Sequence, residues 1–262
     1  ILNIIENFRL MDDTFMSKVF EDKACAVLLL RVILSRDDLT VVRVVSQFEL
    51  KNLQGRSARL DIYAVDEHGK QYDVEVQRSD DGAAPRRARY NSSLLDANLL
   101  NPGDKFDELP ESYNIFITEH DVLKGGKPLY TVNRTISELN HAIFTDGSHI
   151  IYVNGEIRNG TALGELMQDF FCKDPRKMHY KVLSDRAGYF KKDKEGVDTM
   201  CKLVEDYGEK RARQAAELAS NERAVRMANN LWNKGERDLQ QIADLTDLPL
   251  DEVKKLFEGK TA

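Results

Sequence analysis

Between Leu60 and Gln77, apolar and polar residues alternate with a period of two, the mark of strands that bury one face. Leu60, Ile62 and Ala64 fall on one side of the first run and Asp61 on the other. In the second run Val74 and Val76 share a side, while Asp73, Glu75 and Gln77 take the opposite one. Asp66-Glu67-His68-Gly69-Lys70 lies between the runs, polar and with a glycine, and suits a hairpin loop. A hairpin symmetric about His68 sets Asp61 opposite Glu75 and Arg59 opposite Gln77. Opposed Cβ atoms lie roughly 4.5–5.5 Å apart, so two carboxylates there repel. A slip of one residue would send the two acids to different faces.

The flanking pattern supplies the rest of a sandwich. Asp12-Asp13-Thr14 precedes Phe15, Val19 and Phe20 at helical spacing, and the stretch from Cys25 to Leu34 reads as a core helix. Residues 41–48 are rich in β-branched side chains and predict a strand ahead of the hairpin. Pro85 suits the first turn of a helix running to about Leu100. Residues 113–118 predict a buried strand, and residues 129–135 and 149–153 predict two more. This order predicts an α/β (α+β) fold with a central mixed sheet flanked by helices. From about Thr161 the strand signal ends. Residues 205–231 predict a long charged helix with a solvated face, and residues 238–256 two short helices resembling a helix-turn-helix. That tail is acidic or neutral, which favours a packing or partner-binding hairpin over a DNA reader.

With 262 residues, 42% hydrophobic and 31% charged, the chain can bury one sizeable core plus an appendage. A net charge of −6 argues against a broadly basic nucleic-acid binder, yet leaves room for local arginine clusters and metal ions at phosphates. The three cysteines, Cys25, Cys172 and Cys201, lack zinc-ligand spacing and read as buried or incidental thiols in a reducing compartment. No apolar run reaches the roughly 20 residues of a membrane span. The first residues lack a basic leader, so a cytoplasmic protein without a membrane partner is expected.

The facing acids are the sharpest chemical signal, and they admit two readings. Both can lie on a solvated sheet face. Alternatively Asp61, Glu75 and the Val76 carbonyl form half a shell for a hard cation such as Mg²⁺, which takes one or two carboxylates and keeps several waters. Arg86, Arg87 and Arg89 oppose the dipole of the helix they begin. They either pair with Asp80 and Asp81 or bind phosphate, with Tyr90 three residues beyond Arg87. Asp13 and Glu21 either cap and face solvent or bring another acid to the site. His68 reads as a turn residue. No glycine-rich phosphate loop and no Gly-X-Ser-X-Gly elbow is present.

Asp61 followed by Glu75-Val76-Gln77 resembles the PD-(D/E)XK nuclease superfamily in its Glu-X-Gln variant. The resemblance is closest to the bacterial recombination-promoting nucleases, often labelled transposases. Asp13-Thr14-Phe15, Arg87-Ala88-Arg89-Tyr90, residues 113–118 and residues 146–154 fit as well. It covers about residues 11–160 and implies a restriction-endonuclease-like core in residues 1–160, with a helical region in 161–262. It further implies metal-dependent hydrolysis of DNA, linked to recombination or mobile elements, with Mg²⁺ (or Mn²⁺) as cofactor. Asp61, Glu75 and Val76 would hold the metal, and Gln77 would stand where lysine usually does. Gln77 orients water but brings no charge; Arg59 or Arg87 would compensate. Arg87 and Tyr90 match an Arg-Ala-X-Tyr substrate-binding pattern, in which Asn91 replaces a second tyrosine. A homodimer is compatible with cutting both strands. The rival expectation is an inactive core kept for binding nucleic acid or protein.

Overall fold

The alternating segment folds as the predicted hairpin, and the elements around it follow from where its strands must pair. The computed structural model describes residues 1–52 and 55–259. Helices α1 (Leu2–Asn7), α2 (Asp13–Val19) and α3 (Lys23–Leu34) precede strand β1 (Val41–Leu50) and the hairpin β2 (Ala58–Asp66) and β3 (Gln71–Gln77). Helix α4 (Pro85–Ala97) leads to β4 (Ser112–Thr118). β5 (Leu129–Val132), β6 (Thr135–Ile136), β7 (Ala142–Ile143) and β8 (Ser148–Asn154) complete the strands. Then come α5 (Ala162–Phe171), α6 (Lys181–Lys192), α7 (Lys194–Asn233), α8 (Leu239–Thr246) and α9 (Leu250–Phe257).

Six strands form one mixed sheet in the order β1-β2-β3-β4-β8-β5. β1, β2 and β3 are antiparallel neighbours, β3, β4 and β8 run parallel, and β5 is antiparallel to β8. The hairpin register is the symmetric one, with Ile62 opposite Val74 and Tyr63 opposite Asp73. Its turn is fixed by Asp66, whose carboxylate accepts the His68 and Lys70 N–H groups, and by Gly69 at φ 79°. His68 is an exposed turn residue. The single strand predicted over 129–135 is interrupted: β5 stops at Val132 and Thr135 pairs within a separate ribbon with β7.

Parallel pairing of β3 and β4 requires a crossover, and α4 supplies it. The helix therefore begins at the C-terminal end of β3 and lies over the face carrying Asp73, Glu75 and Gln77, packing on β4 and β8. Ala88 of α4 joins Phe116 and Tyr152 in one buried cluster, and Leu94 and Leu95 join Tyr63 in another. On the opposite side α2 packs on β1 and β2, α3 on β1, and α5 and α6 on α3. Phe20 stacks on Phe170 at 5.8 Å, and Phe15 meets Phe190 edge-on at 6.4 Å. Lys191 of α6 threads into this layer: its Nζ lies 5.0 Å from the centre of the Phe15 ring and donates to the carbonyls of Glu6, Phe8 and Lys173. Burial lowers its pKa to about 8.

The strand signal ends near residue 160, but the first compact unit extends over Ile1–Cys201, because α5 and α6 supply aromatic side chains to its core. The second unit, Lys202–Ala262, is helical. Within it Trp232 stacks on Phe257 at 4.3 Å, and Ile242, Leu248 and Val253 complete a small core. Asp238 caps α8 by accepting the Gln240 and Gln241 N–H groups. Asp251 and Glu252 occupy the first turn of α9, which suits the helix dipole and repels phosphate. Among the described residues no helix is long and apolar enough to cross a membrane.

Candidate active site

A cleft of about 850 Å³ opens where β2, β3 and the start of α4 meet. Asp61, Val76 and Gln77 line its floor. Arg56 and Arg59 enter from the β2 side, Arg86, Arg87, Tyr90 and Asn91 from α4, and Asp13 from α2. Glu21 takes no part; it binds Lys18 and Ser46.

Beyond the last ladder pair, Ile62 with Val74, the register carries Asp61 to Glu75. There Asp61 Oδ2 accepts the Val76 N–H at 2.9 Å. The face bearing Asp73 and Glu75 is not solvated: both are wholly buried beneath the crossover helix. Glu75 Oε2 accepts from Arg87 Nη2 at 2.8 Å and from Gln77 Nε2 at 3.1 Å, and Arg87 Nη1 donates to Gln77 Oε1 at 3.3 Å. Three side chains thus close a ring on one carboxylate oxygen. Its other oxygen, Glu75 Oε1, is buried with no hydrogen-bond partner among the described residues.

Burial pushes the Glu75 carboxyl up to about 8, reinforced by the charge of Asp61 and opposed by Arg87. Asp61 rises to about 6, chiefly through burial; the Val76 N–H opposes the shift, Asp13 adds to it, and Arg87 and Arg59 oppose it. Asp73 is also raised well above its ordinary value, from burial first and then from Glu75 and Asp61, with Arg87 opposing. Both Asp73 oxygens and the Asn114 amide beside it in the β3–β4 ladder lack hydrogen-bond partners among the described residues.

The sequence-predicted residues Asp61, Glu75 and Gln77 are therefore brought together, with Arg87 joining them through the ion pair. Tyr90 sits in the cleft wall as a strut. Its hydroxyl donates to the Arg56 carbonyl and accepts from Asn52 Nδ2 at 3.1 Å, tying α4 to the chain before β2. The pairing of arginines with Asp80 and Asp81 is absent among the described residues; Arg56, Arg59 and Arg86 make no ion pair there. Three contributors escaped sequence reasoning. Asp73 carried a signal, since it shares a face with Glu75. Gly82 carried none: only in space does a Cβ there collide with Gln77 Oε1. Arg56 precedes the strand, where no periodicity assigns it a side.

The order of these residues along the chain has a counterpart among known families. A family model described as PD-(D/E)XK nuclease family transposase matches residues 15–162, more than half of the chain. The chain belongs to this family. The match contains every strand of the six-stranded sheet and the cleft apart from Asp13. No curated protein and no solved structure gives a significant match. Membership assigns the chain a nuclease- or transposase-related function, for which DNA is the implied substrate.

Nucleases of this kind typically use divalent metals. Among the described residues no group of three or more His, Cys, Asp or Glu is arranged to chelate one. The donors present still fit a hard cation: two carboxylates suffice when waters fill the remaining positions, and Glu75 Oε1 is a buried acceptor without a partner.

Proposed function

We propose that the chain is a metal-dependent DNA endonuclease that hydrolyses phosphodiester bonds in this cleft, in the service of recombination or mobile-element activity. The observation that carries the reading is Asp61 brought beside buried Glu75 in a cleft lined by four arginines. In a chain of net charge −6, that concentration of cations around two acids suits a phosphate chain approaching a metal.

Asp61, Glu75 and the Val76 carbonyl would hold Mg²⁺, or Mn²⁺ in its place. When bound, the cation supplies Lewis acidity and positive charge beside the phosphate. The rest falls to the chain. Gln77, fixed by its hydrogen bond to Glu75, orients water by neutral hydrogen bonds. Glu75 would offer the cation its Oε1, which has no hydrogen-bond partner among the described residues. Positive charge that lysine would bring at position 77 comes from Arg87, 3.3 Å from the Gln77 side chain. Asp13 faces Asp61 and adds an acid from α2.

The test is nicking of supercoiled plasmid in Mg²⁺, with EDTA and with Asp61→Ala and Glu75→Ala as controls. Cleavage undiminished in either variant would remove both residues from the site. The second reading, a non-catalytic binding module, draws on the same ion pair, since a permanent Arg87–Glu75 bond closes the metal site. It predicts DNA binding without turnover and no heat on titration with Mg²⁺ or Mn²⁺. Sedimentation with and without DNA decides whether two copies act together.

A further inference from the structure

The Arg87–Glu75 bond points to a role for Arg87 that depends on whether metal is present. We propose that Arg87 is the resident counter-ion of Glu75 in the metal-free protein, and that a divalent cation arriving at Asp61 and Glu75 displaces its guanidinium into the cleft to bind phosphate. The inference rests on the metal-dependent reading above and adds a coupling to it: metal binding creates part of the substrate site.

Three observations support it. First, Glu75 is wholly buried, and a buried carboxylate needs a positive partner; among the described residues Arg87, at 2.8 Å, is the cation that reaches it. Second, the contact is one-sided. Arg87 and Gln77 both bind Oε2, whereas Oε1 is left without a partner among the described residues. Arg87 therefore holds Glu75 by one oxygen instead of the two-oxygen fork that guanidinium and carboxylate favour. A divalent cation on the same carboxylate repels the guanidinium, and Arg87 has somewhere to go: its side chain is 41% exposed and lines the cleft. Third, the cleft already holds Arg56, Arg59 and Arg86 without ion pairs among the described residues. The acids Asp13 and Asp81 also line it, so a fourth free arginine tips the balance toward a phosphate backbone. Binding linkage is reciprocal: if metal raises affinity for DNA, DNA raises affinity for metal by the same factor.

The unaltered chain supplies the first test. Phenylglyoxal modifies accessible arginines, and peptide mass spectrometry scores each one, with Arg56 and Arg86 as internal references. Without metal, Arg87 should react about fivefold more slowly than Arg86, as expected of a charge-paired, hydrogen-bonded guanidinium. With saturating Mg²⁺ and no DNA, it should approach the Arg86 rate while the references stay constant. Calorimetry on the same sample reports metal binding. Metal heat with Arg87 reactivity unchanged or lowered overturns the inference and leaves the metal site standing. No heat and no change in Arg87 overturns both. The second test compares affinity for a short DNA duplex in EDTA and in Ca²⁺. The wild type should gain about tenfold or more on adding Ca²⁺, and Arg87→Ala, checked for a cooperative melt, should lose most of that gain. Equal gains overturn the proposal. Should the variant fail to melt cooperatively, the footprint on the unaltered chain decides.

Discussion

The two faces of β3 are built from alternate residues of one seven-residue strand and follow opposite rules. Tyr72, Val74 and Val76 point to the side where Ile115 and Ile117 are buried, and there burial itself stabilises, about 1.5–3 kcal/mol for each large apolar side chain. Asp73, Glu75 and Gln77 point to the other side, where Asp73 and Glu75 are buried just as completely. Unpaired polar atoms make that burial costly. Equal burial with opposite energetic sign shows that the acid face is maintained at the expense of stability. A sheet selected for stability alone would have carried valines on both sides.

Substitutions on the two faces should therefore separate activity from stability. The largest effect belongs to the acids: Asp61→Ala or Glu75→Ala should lower Mg²⁺-dependent plasmid nicking by roughly 10³-fold, without lowering the melting temperature. Loss of stability in these variants comparable to that of a core variant would break the comparison. On the apolar face, Ile115→Ala should cost about 2–5 kcal/mol in urea denaturation while nicking per folded molecule stays intact. Gly82→Ala should push Gln77 away from Glu75 and slow nicking roughly 10–100-fold, with little change in the melt.

The smallest effect has the opposite sign and depends on pH. In the unfolded chain Asp73 loses its proton near 3.8, whereas the folded chain holds it well above that value. Above about pH 4 the folded state therefore binds more protons, and this group's contribution to stability falls as pH rises. Asp73→Asn should remove part of that slope. The variant and wild type should match near pH 4, and the variant should be more stable by about 1 kcal/mol or more at pH 8, measured as the difference in urea midpoint. A flat difference curve would mean that Asp73 is not the buried acid placed here.

The hairpin was legible because a period of two fixes which residues share a face, and a symmetric turn fixes the register that brings Asp61 to Glu75. Burial of that face was not legible. It comes from α4 crossing over, and the alternation reads the same whether the polar side meets water or a helix. Tyr90 was placed in the cleft by its pattern, but its bond to Arg56 depends on the chain before β2 folding back to α4, which no local pattern encodes. The limits of the first unit were hidden for a related reason. Residues 162–192 look like a charged helical region, and only Phe170 and Phe190 packing on Phe20 and Phe15 make them part of the core.

Lys191, bolted to the carbonyls of Glu6 and Phe8, sets a timetable as well as a contact. Chains are made from the N-terminus, so Glu6 waits for a partner 185 residues downstream. The same helix supports α2, the helix that holds Asp13 over the cleft. A message broken before α6 would yield Asp61 and Glu75 without the support that sets Asp13 above them. Only when α6 has been made can it pack on α2, the helix that carries Asp13 to the cleft.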